Sequence, residues 1–126
     1  MRGNKGKITV KHYLNKRAKS QIVDSSPFYP VYVQIIVAGH KAQIKSKAPD
    51  HCMIYRGLVE KHFKNKKICE LICMGYFSEE IFIGMSMNSH PLRSIYTDEV
   101  NILTKIIERQ HPFRNNDFTL LHFSNL

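Results

Sequence analysis

The chain has 126 residues, which leaves room for one small domain or for a small domain and part of a second, and not for a large enzyme. Its content of 43% hydrophobic and 23% charged residues is ordinary for a globular protein and excludes a chain that is disordered throughout. No apolar stretch approaches the ~20 residues of a membrane helix, and three cysteines favour free thiols, so we expect a cytoplasmic protein without a membrane partner.

The net charge of +9 is concentrated in the first third of the chain. Residues 1–47 contain ten lysines and arginines and a single acid, Asp24, whereas residues 48–126 contain nine basic and nine acidic residues. A basic segment joined to a neutral remainder is typical of a module that binds a polyanion such as nucleic acid. A binding surface is therefore expected within the first 47 residues.

The basic segment opens with a predicted strand and a predicted loop. Residues 7–14 alternate polar and apolar side chains with period two, as a strand with one buried and one exposed face does. Residues 15–30 are polar and end in serines and prolines, which predicts a long loop. The early part of this loop carries a basic tip at Lys16, Arg17 and Lys19.

Two further strands are predicted as a hairpin. Residues 31–37 are rich in β-branched and aromatic side chains, which favour strands. Ala38-Gly39 then offers a tight reversal into a third strand at residues 40–45. The first third of the chain is thus predicted to form a three-stranded antiparallel sheet.

Because side chains alternate across a strand, the predicted strands sort into two faces. One face is apolar and is the expected core face, with a single histidine, His12, on it. The other face is basic and carries amides and tyrosines: Lys7, Thr9, Lys11, Tyr13, Tyr32, Gln34, Ile36, Lys41, Gln43 and Lys45. Lysines bind phosphates at any sequence, whereas glutamine can hydrogen-bond to an adenine edge. This face and the basic loop are predicted to bind nucleic acid, with Gln34 and Gln43 setting sequence preference.

Helices are predicted in most of the neutral remainder. Asp50 is placed to cap a helix just after it, and apolar residues at helical spacing continue to Ile72 in one or two helices. Residues 79–84 fit a short strand or a helix end equally well. Residues 97–110 are the clearest helix, with Thr97 as the expected cap, two acids in the first turn and basic residues late.

Cysteines and histidines offer a metal-site hypothesis, because Cys69 and Cys73 would share a helix face, with His51, Cys52 and His62 upstream. Their spacing matches none of the common zinc patterns, and the two helical cysteines lie beside apolar residues, which favours a core role. The chain also lacks a phosphate-cradling glycine loop, a nucleophile elbow and paired carboxylates. The sequence therefore indicates no metal, no cofactor, no catalytic residue and no small-molecule substrate.

Several stretches of the basic segment resemble a known family. They read ITV at residues 8–10, LNKRAK at 14–19, YPVYVQI at 29–35 and AGHK at 38–41. This pattern resembles the N-terminal arm-type DNA-binding domain of tyrosine recombinases, the integrases of phages and conjugative transposons, particularly those of Bacteroides-like mobile elements. Such domains are three-stranded sheets packed on a helix, with the sheet in the major groove of arm-type sites. The resemblance implies the same role for the basic face and double-stranded DNA as its partner.

The expected organisation follows from the pattern and the resemblance together. We predict an α+β fold, a three-stranded antiparallel sheet covered by helices on one face. Residues 1–47 would form the DNA-binding sheet, residues 48–111 a helical or mixed segment that completes the domain, and residues 112–126 a linker or the start of a core-binding domain. The recombinase catalytic domain is absent from this sequence, so the chain is expected to be a non-catalytic module of an integrase or a relic of one.

Two alternatives stay open at this point. A small basic sheet with exposed tyrosines could instead stack the bases of RNA or another single-stranded nucleic acid. A structural or protein-interaction domain could carry the basic strip for solubility alone, and would then have no affinity for heparin or DNA. An enzyme has no positive support in the sequence.

Overall fold

A computed structural model describes residues 8–87 and 89–110 of the chain. Its elements in chain order are β1 (Ile8–Leu14), β2 (Gln21–Val23), β3 (Ser26–Val37), β4 (His40–Lys45), α1 (Ala48–His51), α2 (Tyr55–His62), α3 (Lys66–Cys73), β5 (Tyr76–Ser78), α4 (Glu79–Met85) and α5 (Arg93–Gln110). All strand pairs are antiparallel, so the predicted α+β class is confirmed. Lys7 and the predicted segment 112–126 lie outside the described residues.

The long strand β3 pairs with each of the other four strands. Its C-terminal half, residues 31–37, pairs with β1 and β4, which are the two other predicted strands. Its N-terminal half, residues 26–30, pairs with the short strands β2 and β5. The described sheet therefore has five strands, of which the predicted three are a subset.

The predicted loop over residues 15–30 is wrong in its second half, because β2 and the start of β3 form a hairpin. The two residues of its turn, Asp24 and Ser25, have φ values of 51° and 68°, as a type I′ turn requires. The tight turn predicted at Ala38-Gly39 is confirmed, with φ values of 51° and 83°. Only the Ala38-Gly39 turn can be recognised from the sequence, because only this turn contains a glycine.

Pro30 explains why the chain leaves the sheet after β1. The Pro30 carbonyl accepts a hydrogen bond from the Asn15 N–H at 2.9 Å, but proline has no N–H to return to Asn15. The Asn15 carbonyl instead accepts a bond from the Ala18 N–H at 3.2 Å. This bond turns the chain outward into a short loop, which presents the basic tip before β2 begins.

The helices cover the apolar face of the sheet. α5 packs over β1, β3 and β4, where Leu103 and Ile107 lie in one buried cluster with Val33 and Ile35. A second cluster is built from the shorter helices, β5 and the start of α5. None of the helices in the described ranges combines the length and apolar character needed to cross a bilayer.

Helix positions differ from the sequence prediction at two places, and the structure decides a third that the sequence left open. α1 begins at Ala48, so Asp50 lies inside that helix and does not cap it. α5 begins at Arg93, a full turn before Thr97, because the buried Tyr96 side chain extends its apolar face upstream. The ambiguous segment 79–84 is helical, and the Ser78 hydroxyl caps it by accepting a bond from the Ile81 N–H at 3.2 Å.

Candidate nucleic-acid interface

The strand register arranges nine side chains of one sheet face in three rows across β1, β3 and β4. The rows are Thr9–Ile36–Lys41, Lys11–Gln34–Gln43 and Tyr13–Tyr32–Lys45. We call these nine residues the basic face. Strands lie about 4.8 Å apart and alternate residues about 6.6 Å apart along a strand, so the basic face measures roughly 10 Å by 13 Å.

The lysines of the basic face lie on its two outer strands, and its two amides lie side by side in the middle row. Lys11 occupies one outer strand, and Lys41 and Lys45 occupy the other; all three are exposed. Gln34 is half-buried at the centre, and Gln43 lies opposite it on β4. The helices of the described ranges pack against the other side of these strands, which leaves this patch of positive and amide-bearing side chains open.

Aromatic rings extend one edge of the basic face. The rings of Tyr13 and Tyr32 lie 6.2 Å apart, and burial, together with the neighbouring Tyr32, raises the pKa of the Tyr13 phenol. The Lys45 ammonium lies 5.5 Å from the centre of the Tyr76 ring, within the range of a cation–π contact. Tyr76 belongs to β5, and sequence reasoning missed it because only the strand pairing brings it to this edge.

The basic loop is less uniform than its sequence suggests. The Lys16 ammonium lies 3.0 Å from a Glu79 carboxylate oxygen, which compensates its charge, although both groups are exposed and the pair adds little stability. The Asn15 side chain accepts a bond from the Arg17 N–H at 3.1 Å and shapes the turn. Arg17 and Lys19 are exposed and form no ion pair with any described carboxylate. These two residues carry the positive charge of the loop.

A buried carboxylate lies directly behind the basic face. Glu99, on α5, is 3% exposed, and its Oε1 is 2.7 Å from the His12 Nε2 and accepts a 2.6 Å bond from the Ser46 hydroxyl. Its Oε2 accepts a 2.7 Å bond from the Lys47 N–H. His12 lies between Lys11 and Tyr13 on β1, and Ser46 directly follows β4. One carboxylate therefore ties both outer strands of the basic face to the helix behind them.

The charge of Glu99 is set by two opposing effects. Burial alone would raise the pKa of this carboxyl, but the hydrogen bonds from His12, Ser46 and the Lys47 N–H outweigh it and hold the pKa below its usual value. Glu99 is therefore ionised at neutral pH. The sequence interpretation counts it only as one of two acids in the first turn of a helix; the one signal of its role is a histidine on an apolar strand face, which needs a polar partner.

The structure does not support the metal-site hypothesis. In the part of the chain that it describes, no three histidine, cysteine or acidic side chains come close enough together to hold a metal ion. Cys69 is buried, and its thiol donates to the Phe63 carbonyl at 2.9 Å.

A scan of protein-family models finds no match to the chain, and searches of curated proteins and of solved structures find no significant match. The resemblance to integrase arm-type domains therefore stays a prediction.

Proposed function

We propose that the chain binds double-stranded DNA through the basic face. The observation that carries this proposal is the row arrangement: exposed lysines on both outer strands of the face, with Gln34 at its centre and Gln43 beside it on β4. Lysines on the outer strands suit the phosphates on either side of a groove, and the amides of the middle row suit base edges.

The size and charge of the basic face support duplex DNA as the ligand. A patch roughly 10 Å by 13 Å is comparable with the major groove, which is about 12 Å wide and admits a β-ribbon. None of the nine residues is acidic, so the face would meet phosphates without repulsion. Glutamine side chains can bind the N6 and N7 edge of adenine with two hydrogen bonds, which would give sequence preference.

The resemblance to integrase arm-type domains extends this proposal to a biological setting. In that family a three-stranded sheet packs on a helix and enters the groove of an arm-type site, and here α5 packs on the covered side of β1, β3 and β4. We therefore propose arm-type sites of a mobile element as the duplex ligand. Catalysis of recombination would then require a recombinase domain, which this sequence does not contain.

The affinity test compares lysines on opposite sides of the sheet. Lys11→Ala and Lys41→Ala should each weaken binding at every duplex sequence and lower the slope of log affinity against log salt by about 1. Lys105→Ala removes the same charge from the exposed side of α5, behind the sheet, and should bind as wild type. If all three variants bind DNA with equal affinity at ~0.1 M salt, the basic face is not the binding surface.

The specificity test uses the central amide. Selection of duplexes from a random pool should yield a preferred sequence for wild type, and Gln34→Ala should relax that preference at one base pair by about 1–3 kcal/mol. Its salt slope should not change, because the amide carries no charge. A preference that survives Gln34→Ala and Gln43→Ala unchanged would assign base recognition to other residues.

The aromatic edge favours single-stranded nucleic acid as a second candidate. Tyr13 and Tyr32 lie within 6.2 Å of each other and could stack bases, as aromatic residues do on RNA-binding sheets. Competition between duplex DNA and single-stranded RNA separates the two. If RNA competes more strongly and Tyr32→Ala weakens binding more than Lys41→Ala, the ligand is single-stranded. Retention on neither heparin nor DNA would instead indicate a structural or protein-interaction role.

A further inference from the structure

A cleft on the helical side of the protein is separate from the basic face. It lies between α4 and the first turns of α5, has a volume of about 340 Å3, and its wall includes Phe82, Met85, Tyr96 and Val100. Met85 and Tyr96 are buried, and the other two are half-buried. Pockets of a few hundred Å3 that combine an apolar lining with a few polar groups are typical of small-molecule sites.

Arg93 brings a positive charge to this cleft. Its Nε donates to the Ser86 carbonyl oxygen at 3.2 Å, which holds the guanidinium between the end of α4 and the start of α5. Among the described residues, Arg93 forms no ion pair with a carboxylate. A guanidinium binds a carboxylate through two parallel N–H bonds, so Arg93 is suited to hold the carboxylate of a ligand.

A buried negative charge near the cleft favours a ligand with one negative charge over a ligand with two. His12 also lines the cleft, and its Nε2 lies 2.7 Å from the Glu99 carboxylate, which is ionised. One guanidinium compensates one charge. A dianion such as a phosphate monoester would keep one negative charge that Arg93 does not compensate, in a cleft whose His12 already contacts the ionised Glu99.

We propose that this cleft binds a small amphipathic monocarboxylate, with its carboxylate on Arg93 and its apolar body against Phe82, Met85 and Val100. This site is independent of nucleic-acid binding and adds a small-molecule ligand to a chain whose sequence indicates none. The cleft reaches β1 through His12, on the side of the sheet opposite Lys11 and Tyr13.

The proposal can be tested with 2-naphthoate, which joins one carboxylate to a flat apolar body. Titration into the full chain, followed by NMR, should give saturable binding with one ligand per chain and shifts concentrated at the cleft residues. The neutral 2-naphthamide and the dianionic 2-naphthyl phosphate should both bind more weakly. Equal affinity for naphthoate and naphthamide would show that the guanidinium takes no part and would overturn the proposal.

Two variants and a control locate the site. Arg93→Gln should weaken naphthoate binding by about tenfold or more, as loss of a charge-assisted pair does, whereas Arg109→Gln removes the same charge from the far end of α5 and should bind as wild type. Thr97→Trp places a large ring in the cleft from an exposed helix position and should abolish binding. Unchanged binding in Thr97→Trp would place the ligand elsewhere and refute the site, whether or not Arg93→Gln folds.

Discussion

Side chains on the two faces of the sheet meet very different surroundings, although they alternate along the same strands. On β3, Ile35 is fully buried under α5 whereas its neighbour Ile36 lies half-exposed among lysines and amides. On β1, His12 contacts a buried carboxylate while Lys11 beside it is exposed. The covered face is explained by the stability that its burial contributes. The basic face is not covered by the described helices, so burial does not explain why its outer strands carry exposed lysines.

Removal of the buried carboxylate should cause the largest loss of stability. Glu99→Ala leaves the Ser46 hydroxyl, the Lys47 N–H and His12 without their acceptor in a buried site. We expect the free energy of unfolding to fall by about 3–5 kcal/mol, measured by urea denaturation. A loss below about 1 kcal/mol would mean that water replaces the carboxylate and that the covered face is less closed than its burial suggests.

Substitution of two adjacent isoleucines on β3, one on each face, compares the two faces most directly. Ile35→Ala should lower the free energy of unfolding by about 2–5 kcal/mol, because it opens a cavity in a closed core. Ile36→Ala should cost no more than about 1 kcal/mol, mainly through lost strand propensity. Each variant is the control for the other in one denaturation series. Equal losses would mean that another part of the chain packs on the basic face.

Acid should lower the stability of the protein by protonating Glu99, the carboxylate behind the sheet. Its pKa is lower in the folded protein than its usual value of 4.5, so the unfolded chain takes up this proton first. The stability that Glu99 contributes is complete above its unfolded pKa and is lost as the pH falls through the lower folded pKa. As the pH is lowered below 4.5, the urea concentration at the unfolding midpoint should therefore decrease less steeply for Glu99→Gln than for wild type. Glu108→Gln, an exposed change on α5, should keep the wild-type pH dependence.

Substitutions on the basic face should have the smallest effect on stability. Lys11→Ala and Lys41→Ala remove exposed side chains and should change the free energy of unfolding by no more than about 0.5 kcal/mol. The same proteins can then be used for DNA binding with the fold intact. A larger loss in either variant would show that the open face also supports the sheet, and any change in DNA affinity would have to be corrected for unfolding.

The sequence predicts most of the sheet because strand periodicity is a local property. Alternation along residues 7–14, 31–37 and 40–45 assigns every side chain of the later basic face to one side, and the register confirms that assignment from Thr9 onward. Ala38-Gly39 marks its turn with a glycine that readily takes positive φ. The apolar spacing of residues 97–110 likewise identifies α5, although its start at Arg93 depends on tertiary packing.

The features that the sequence does not predict depend on contacts between distant segments. Asp24 and Ser25 form a type I′ turn without a glycine, so nothing local distinguishes them from a loop. Tyr76 reaches the basic face only because β5 pairs with Pro30, and Glu99 is buried only because His12 and Ser46 surround it. The Arg93 cleft likewise exists only once α4, α5 and β1 are packed.

The pairing of β3 with four partners also implies an order of folding. The hairpins of β3 with β2 and β4 close across two-residue turns, whereas β5 reaches Pro30 only after the whole of residues 31–75 has folded back. Loop-closure entropy favours the short connections first, so we expect residues 8–45 to pair before α5 covers them. The apolar face would then be bare for a time. The lysines on the other face would keep this early species soluble by mutual repulsion, a kinetic role that exists before any ligand is bound.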